Sequence, residues 1–357
     1  MKPSSFILSL ALAATATAQT INIVAHEDDD LLFLSPDLLD EFEEGRSVRT
    51  IFLTAGDAGN DESYWLGREE GSKAAYAEMS GVDNSWTQTD AGIDGFSIPL
   101  FTLNGNPDVS LVFLRLPDGN DGGEGFGGRG SLQQLWEGTI DSLTSFTDSS
   151  YDRDSLVDVL RQLLDDFDHD RVNTQDFVHD YGDGDHSDHH TTAYFVREAV
   201  DDCGNGQVTA YMGYPVVSNP QNVEDGELYQ KTDAFYTYGL YDRNVCNSEE
   251  TCSGRDEAAW LLRQYQVEQF EQPTCENENE NEENRISSTS YAVKSSAVHS
   301  QPVIPHATET VAQSSSVAVP SETAAPTQLL FTGGSGKNVI SGGVCIVVAV
   351  LSAIALV

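Results

Sequence analysis

The sequence predicts an α/β fold, a three-layer α/β/α arrangement around a mostly parallel sheet. Two observations carry that expectation. Short β-rich runs alternate with helical stretches over residues 19–275, and strands separated by helices pair in parallel with helices covering both faces. The most reactive polar segments stand directly after the β-rich runs, and sheets of this kind bind ligands beyond the carboxyl ends of their strands. No internal repeat points to another architecture.

The first β-rich run is 21–25, Ile-Asn-Ile-Val-Ala. Ser35-Pro36 then opens a helix in which Leu38, Leu39 and Phe42 share a face, and Gly45 closes it. A strand at 49–53 leads into the glycine loop 54–59, and a helix over 69–80 ends at Gly81. Residues 110–114 read as a strand, 132–143 and 155–167 as helices, and 172–174 as a short strand. Residues 194–200 continue a helix, 208–212 form a strand and 257–270 a helix. The glycine-rich run 122–130, after a strand end, reads as a mobile flap over the site or as a surface loop, the flap being favoured by its place at the strand end.

Composition excludes some partners. The chain carries 58 acidic against 18 basic residues, a formal net charge of −40, and no Lys/Arg cluster. Phosphate backbones and anionic membrane surfaces would repel it, so no nucleic acid is expected as a partner. The ends read as signals. Residues 1–18 pair Lys2 with an apolar run and a small-x-small site at Ala16-Thr17-Ala18, the layout of a secretory leader. Residues 276–335 pass from Asn/Glu alternation to a Ser/Thr-rich stalk, and 336–357 end in an uncharged apolar run behind the small triplet Gly333-Gly334-Ser335. That is the layout of a GPI-anchor signal, which would tether a secreted domain, 19–275, to the plasma membrane or cell wall with no other membrane contact. Four cysteines would then remain, Cys203, Cys246, Cys252 and Cys275, with Cys246–Cys252 and Cys203–Cys275 the favoured of three pairings.

The segment after the first strand is His26-Glu27-Asp28-Asp29-Asp30, and the Val172 strand is followed by Asp183-Gly184-Asp185-His186-Ser187-Asp188-His189-His190. Two strand-end loops thus offer imidazole beside carboxylate. A catalytic zinc site needs three such ligands and one position left open.

Residues 25–30, Ala-His-Glu-Asp-Asp-Asp, resemble the Ala-His-Pro-Asp-Asp-Glu signature of the PIG-L (LmbE-like) N-acetylglucosaminyl deacetylases, and His186-Ser187-Asp188-His189 resembles their His-x-Asp-His motif. The glycine loop 53–59 and Arg68-Glu69-Glu70 before an Ala-rich helix follow the family's order, so the resemblance covers about 21–210. It implies a Rossmann-like fold and metal-dependent release of acetate from an N-acetylated carbohydrate or glycoconjugate. Carried over by position, His26, Asp29 and His189 would bind zinc or another divalent ion, and Asp28 would be the general base. His186 would stabilise the oxyanion or protonate the leaving amine, with Asp188 orienting it. Arg68 and Asp118 are candidates for gripping the substrate, the alternative for Arg68 being an ion pair with Glu69 or Glu70. Glu27 and Asp30 depart from the family's Pro and Glu, while His179 and His190 read as solvated loop histidines.

Three other classes stay open. Asp28-x-Asp30 could serve a metal-nucleotide glycosyltransferase, and a sugar-binding relative could keep the pocket without catalysis. The Asp-rich stretches 180–188 and 117–123 could bind calcium, either in a non-catalytic surface protein or as a structural ion of an enzyme.

Overall fold

Alternate side chains of the central strands feed two separate apolar cores. In β1 (Gln19–Val24), Ile21 and Ile23 enter one core and Val24 the other; in β2 (Ser47–Thr54), Ile51 and Leu53 face opposite to Val48 and Phe52. This period of two, with both faces apolar, is what a buried parallel strand requires. The structure, a computed structural model, describes residues 18–201, 204 and 206–273. The expected stalk and anchor signal, all of the expected leader but Ala18, and the expected Cys203–Cys275 pair lie outside the described residues.

The remaining strands are β3 (Trp86–Asp90), β4 (Pro99–Leu103), β5 (Val109–Leu116), β6 (Leu143–Thr144), β7 (Ser150–Tyr151), β8 (Arg171–Gln175), β9 (Gln207–Tyr211) and β10 (Gln266–Glu271). Among the described residues, eight of them form one sheet in the order β10-β9-β8-β1-β2-β5-β4-β3, while β6 and β7 pair as a small hairpin. The five middle strands run parallel, and β10, β4 and β3 pair antiparallel at the two edges.

The helices are α1 (Asp37–Glu43), α2 (Glu62–Met79), α3 (Leu132–Trp136), α4 (Arg153–Asp165), α5 (Ser187–Val200), α6 (Asp225–Gly239), α7 (Glu249–Cys252) and α8 (Asp256–Trp260). Leu160 and Leu163 of α4 and Phe195 and Val196 of α5 fill the core on one face. Tyr76 of α2, Phe235 and Tyr238 of α6 and a π-helical turn, Asp30–Leu34, fill the other. The expected three-layer α/β fold with its mostly parallel sheet is therefore present. The Cys246–Cys252 disulfide also forms, closing a local loop against the second core.

Two elements differ from expectation. The helix expected over 132–143 stops at Trp136, because Gly138 takes a left-handed φ of 69° and the amides of Gly138 and Thr139 bond back to Leu135 and Gln134. That is a Schellman stop, after which Leu143 joins the hairpin. The helix expected over 257–270 ends at Trp260, and Gln266–Glu271 pairs with β9 as an edge strand, so tertiary pairing overrides a helix-compatible polar pattern. The strand pair β3–β4, and α6, were not legible as elements.

A polar seam crosses the second core. Asn173 donates to Glu41 Oε1 (2.9 Å) and to Asn22 Oδ1 (2.9 Å), and Asn22 donates to Glu41 Oε2 (3.4 Å). Burial pushes the Glu41 carboxyl up to about 8, against the pull of Asn22, Arg46 and Asn173. The folded chain therefore holds a proton that the unfolded chain releases at the ordinary carboxyl value, and the associated stability is lost as pH rises towards 8. Glu41→Gln is expected to remove this loss, of the order of a few kcal/mol between pH 5 and 8. Urea denaturation at the two pH values checks it; an unchanged pH slope in the variant would refute it.

Candidate metal and active site

The carboxyl ends of β1, β2, β5 and β8 converge on one pocket of about 270 Å³, lined among others by His26, Asp28, Arg68, Asp118 and His186. All eight residues singled out from sequence reach this region and are buried: His26, Asp28, Asp29, Arg68, Asp118, His186, Asp188 and His189. The π-helical turn after β1 wraps the chain so that Asp28 and Asp29 project to different partners. The first turn of α5, N-capped by His186, delivers Asp188 and His189.

Asp29 sits between two imidazoles. Its Oδ2 lies 3.2 Å from His26 Nδ1 and its Oδ1 3.0 Å from His189 Nε2. The latter approach is not aligned as a hydrogen bond, so His189 Nε2 is a buried polar atom without a hydrogen-bond partner. The other nitrogen of each ring is held by a carboxylate: His189 Nδ1 by Asp185 Oδ1 at 2.7 Å, and His26 Nε2 by Asp188 Oδ2 at 3.4 Å. Outer carboxylates of this kind fix ring orientation and leave the inner nitrogens free to ligate. His26, Asp29 and His189 can each turn a ligand atom to one point, all within 4.8 Å of one another. The field there also favours positive charge. Against the cost of burial, Asp29 and Asp185 push His189 up to about 10, while His189 and His26 hold Asp29 well below the carboxylate range. An orphaned imidazole nitrogen, two imidazoles with outer carboxylate partners and one shared carboxylate fit a divalent metal. A second set, His26, Asp118, His186 and Asp188, also brings its ligand atoms within the same distance.

Asp28 lies outside the first set. Its Oδ1 accepts from Arg68 Nη2 at 2.5 Å, and burial pushes its carboxyl up to about 6, with Arg68 pulling it down. Arg68 neither pairs with Glu69 nor with Glu70: Glu69 takes a bidentate bond from Arg115 and Glu70 pairs with Lys73. Its Nε instead donates to Tyr238 Oη (2.7 Å) beside Asp242 (3.1 Å), and its Nη1 donates to the Gly56 carbonyl (2.8 Å). Gly56 has a φ of 49°, and a Cβ there would stand 2.1 Å from Arg68 Nη1, so only glycine lets the loop lie against this guanidinium.

His186 is oriented by backbone. The Asp188 amide donates to its Nδ1 (3.1 Å), which places the proton of the neutral ring on Nε2, facing the pocket and Asp118 at 3.8 Å. Burial and the nearby His26 lower the His186 pKa, so the ring is neutral at pH 7. The expected role of the Asp188 carboxylate in orienting His186 is thus taken by its amide. The carboxylate itself accepts from Gly119 N–H (2.7 Å) and meets His26. His190 is fully buried, bonded to the Asp176 carbonyl and to Asp183, and is no solvated loop histidine; His179 is half-exposed and pairs with Asp176.

Several carboxylates of the stretches considered for calcium accept from protein donors. Asp183 accepts from the Asp185 amide, Asp185 from the amides of His186 and Tyr214, and Asp118 from those of Ala58 and Asn120. The glycine-rich run forms a wall of the pocket: Phe126 packs over Gly59, and Ser187 bonds to the carbonyls of Asn120 and Asp121. Residues missed in the sequence include Asp185, readable only as the i−4 neighbour of His189, and Tyr214, Tyr238, Asp242 and Trp260, which come from distant segments without a local motif. Asp185→Asn should weaken metal affinity about 10- to 100-fold, read by competition with a chelator; unchanged affinity would remove Asp185 from the site.

Fold and site together define a Rossmann-like α/β protein with a pocket fit for a divalent metal at its strand ends. The chain belongs to the PIG-L family, described as GlcNAc-PI de-N-acetylase, whose model matches residues 21–200. Among solved structures it is similar to a deacetylase triple mutant of the teicoplanin biosynthetic pathway, at 16% identity over 68% of this chain and 88% of the other, with a TM-score of 0.40. It is also similar to N,N'-diacetylchitobiose deacetylase from Pyrococcus horikoshii (14%, 68% and 75%, TM-score 0.39). A 4-carboxy-2-hydroxymuconate hydratase from Pseudomonas putida matches at 14% over 83% and 100%, with a TM-score of 0.35. A comparison with curated proteins gives no match.

Proposed function

We propose that the protein is a zinc-dependent deacetylase that removes the acetyl group from an N-acetylglucosamine-type sugar or glycoconjugate at the cell surface. The observation that carries this reading is the juxtaposition of the buried His26, Asp29 and His189 ligand set, which meets the pocket through His26, with the separate carboxylate of Asp28 and the Nε2–H of His186 on the pocket's lining. Zinc, when bound, supplies Lewis-acid polarisation and makes water more acidic. Asp28 accepts the proton of the attacking water as its oxygen bonds to the acetamide carbon. His186 Nε2–H donates to the developing oxyanion, where a fixed donor is worth most. The C–N bond then breaks, the amine nitrogen takes the proton that Asp28 accepted from water, and acetate and the free amino sugar leave. A leader and a GPI-type anchor would place this reaction outside the cell, the membrane being met only through the anchor.

Elemental analysis after dialysis is expected to find about one zinc per chain. Acetate release from N-acetylglucosamine and its glycoconjugates should stop on chelation and return with zinc. A protein that keeps its metal but releases no acetate from any N-acetylated sugar would sink the proposal.

A further inference from the structure

The catalytic pocket opens sideways into a larger groove of about 690 Å³, and the two share Asp121, Tyr214 and Trp260. The pocket has room for one pyranose ring, and the groove has room for more. Tyr214 and Trp260 stack face to face, centroids 4.5 Å apart and planes 6° from parallel, with Phe33 behind them at 5.9 and 5.7 Å. Both rings are partly exposed, so this rigid pair offers aromatic surface along the junction between pocket and groove. Tyr181, also partly exposed, stands on the groove's wall, and Gly122, Gly182 and Gly184 let a ligand approach the backbone.

The charge of the groove is one-sided. Asp121 and Asp256 are exposed on its lining, Asp185 lies buried beneath, and no Lys or Arg lines it among the described residues. In the adjoining pocket the cation on the lining is Arg68, held by Asp28, Glu27 and Asp242. A phosphate entering this surface meets carboxylates, whereas an ammonium meets carboxylates and aromatic faces, both of which attract it.

We infer that the groove binds sugar units flanking the reacting one, and that these units carry free amines: the preferred substrate is an oligosaccharide already partly deacetylated, not a phosphate-linked sugar. The pyranose ring packs against the exposed surface of the Tyr214–Trp260 pair, and its ammonium is matched to Asp121 and Asp256. The groove's content is read from its own lining, while the identity of the reacting unit rests on the deacetylase proposal.

Calorimetric titration of the metal-loaded full chain with glucosamine, the fully amine trimer and the fully acetylated trimer tests this. The amine trimer is expected to bind about tenfold tighter than either comparison ligand, the free energy of one stacked and charge-matched unit. Asp256→Asn, an exposed change in a first helical turn, should narrow that gap, as should raised salt; Trp260→Leu should narrow it further. Equal affinity of the two trimers, or of trimer and monomer, overturns the groove assignment. Acetate release with no preference for amine-flanked substrates overturns it too while leaving the deacetylase proposal standing. Tight, amine-selective binding without acetate release from any substrate supports the groove and sinks the deacetylase proposal instead.

Discussion

Asp28→Asn is expected to lower kcat by about 10²- to 10⁴-fold, the range a positioned general base supplies, while leaving the metal content of the protein unchanged. The separation follows from geometry. The proposed ligand set is His26, Asp29 and His189, and Asp28, although next to Asp29 in sequence, is turned the other way, towards Arg68. An amide at position 28 keeps an oxygen for Arg68 Nη2 and fills the same volume, so the pocket is preserved. It loses the one property the reaction uses, a carboxylate that can take a proton. Burial has already raised this carboxyl to about 6, close to the pH at which a base is both deprotonated and strong enough to be useful. Steady-state acetate release, with elemental analysis on the same preparation, checks the expectation. Turnover near that of the wild type would move the base elsewhere, and loss of metal would place Asp28 among the ligands.

The part of the site that could be read from sequence is the part that is local. His26 to Asp30 and His186 to His189 are short runs at strand ends, and a run of five residues after a strand can hardly face anywhere but the carboxyl edge of the sheet. What could not be read is everything set by packing at a distance. Asp242 and Tyr238 grip Arg68 across about 170 positions of sequence, and Trp260 reaches the pocket from a helix of one turn and a half. Asp188 meets His186 by a route that the spacing does not show. Its spacing from His186 suggests a side-chain pair, but a residue two places into a helix whose cap is that histidine offers its amide instead. The same limit applies to the fold. The central strands announce themselves by continuous apolar runs. Trp86–Asp90, an edge strand with four of five residues exposed, has no apolar pattern to display, and Gln266–Glu271 looks like helix until β9 supplies its partner.

Replacing Arg68 should be the most destabilising single change in the site. Its side chain is 8% exposed, and it stands among the carboxyls of Asp28 (2.5 Å), Asp242 (3.1 Å) and Glu27 (3.5 Å), of which the last two are fully buried. Glu27 is the extreme case: neither of its oxygens has a hydrogen-bond partner, and burial raises its pKa well above the ordinary carboxyl value with Arg68 as the main opposing charge. Arg68→Met keeps most of the volume and removes the charge, leaving three acids without their shared cation. Breaking a buried ion pair from one side costs about 3–5 kcal/mol, and here one cation serves three partners. Arg68→Lys restores the charge but not the planar fork that reaches Asp28, Tyr238 and the Gly56 carbonyl together, so it should recover part of the stability and less of the turnover. The comparison distinguishes two jobs of one residue: charge compensation, read by urea denaturation, and holding Asp28 in place, read by kcat. A methionine variant within about 1 kcal/mol of the wild type would mean that Arg68 does not carry the charge balance of these buried carboxyls.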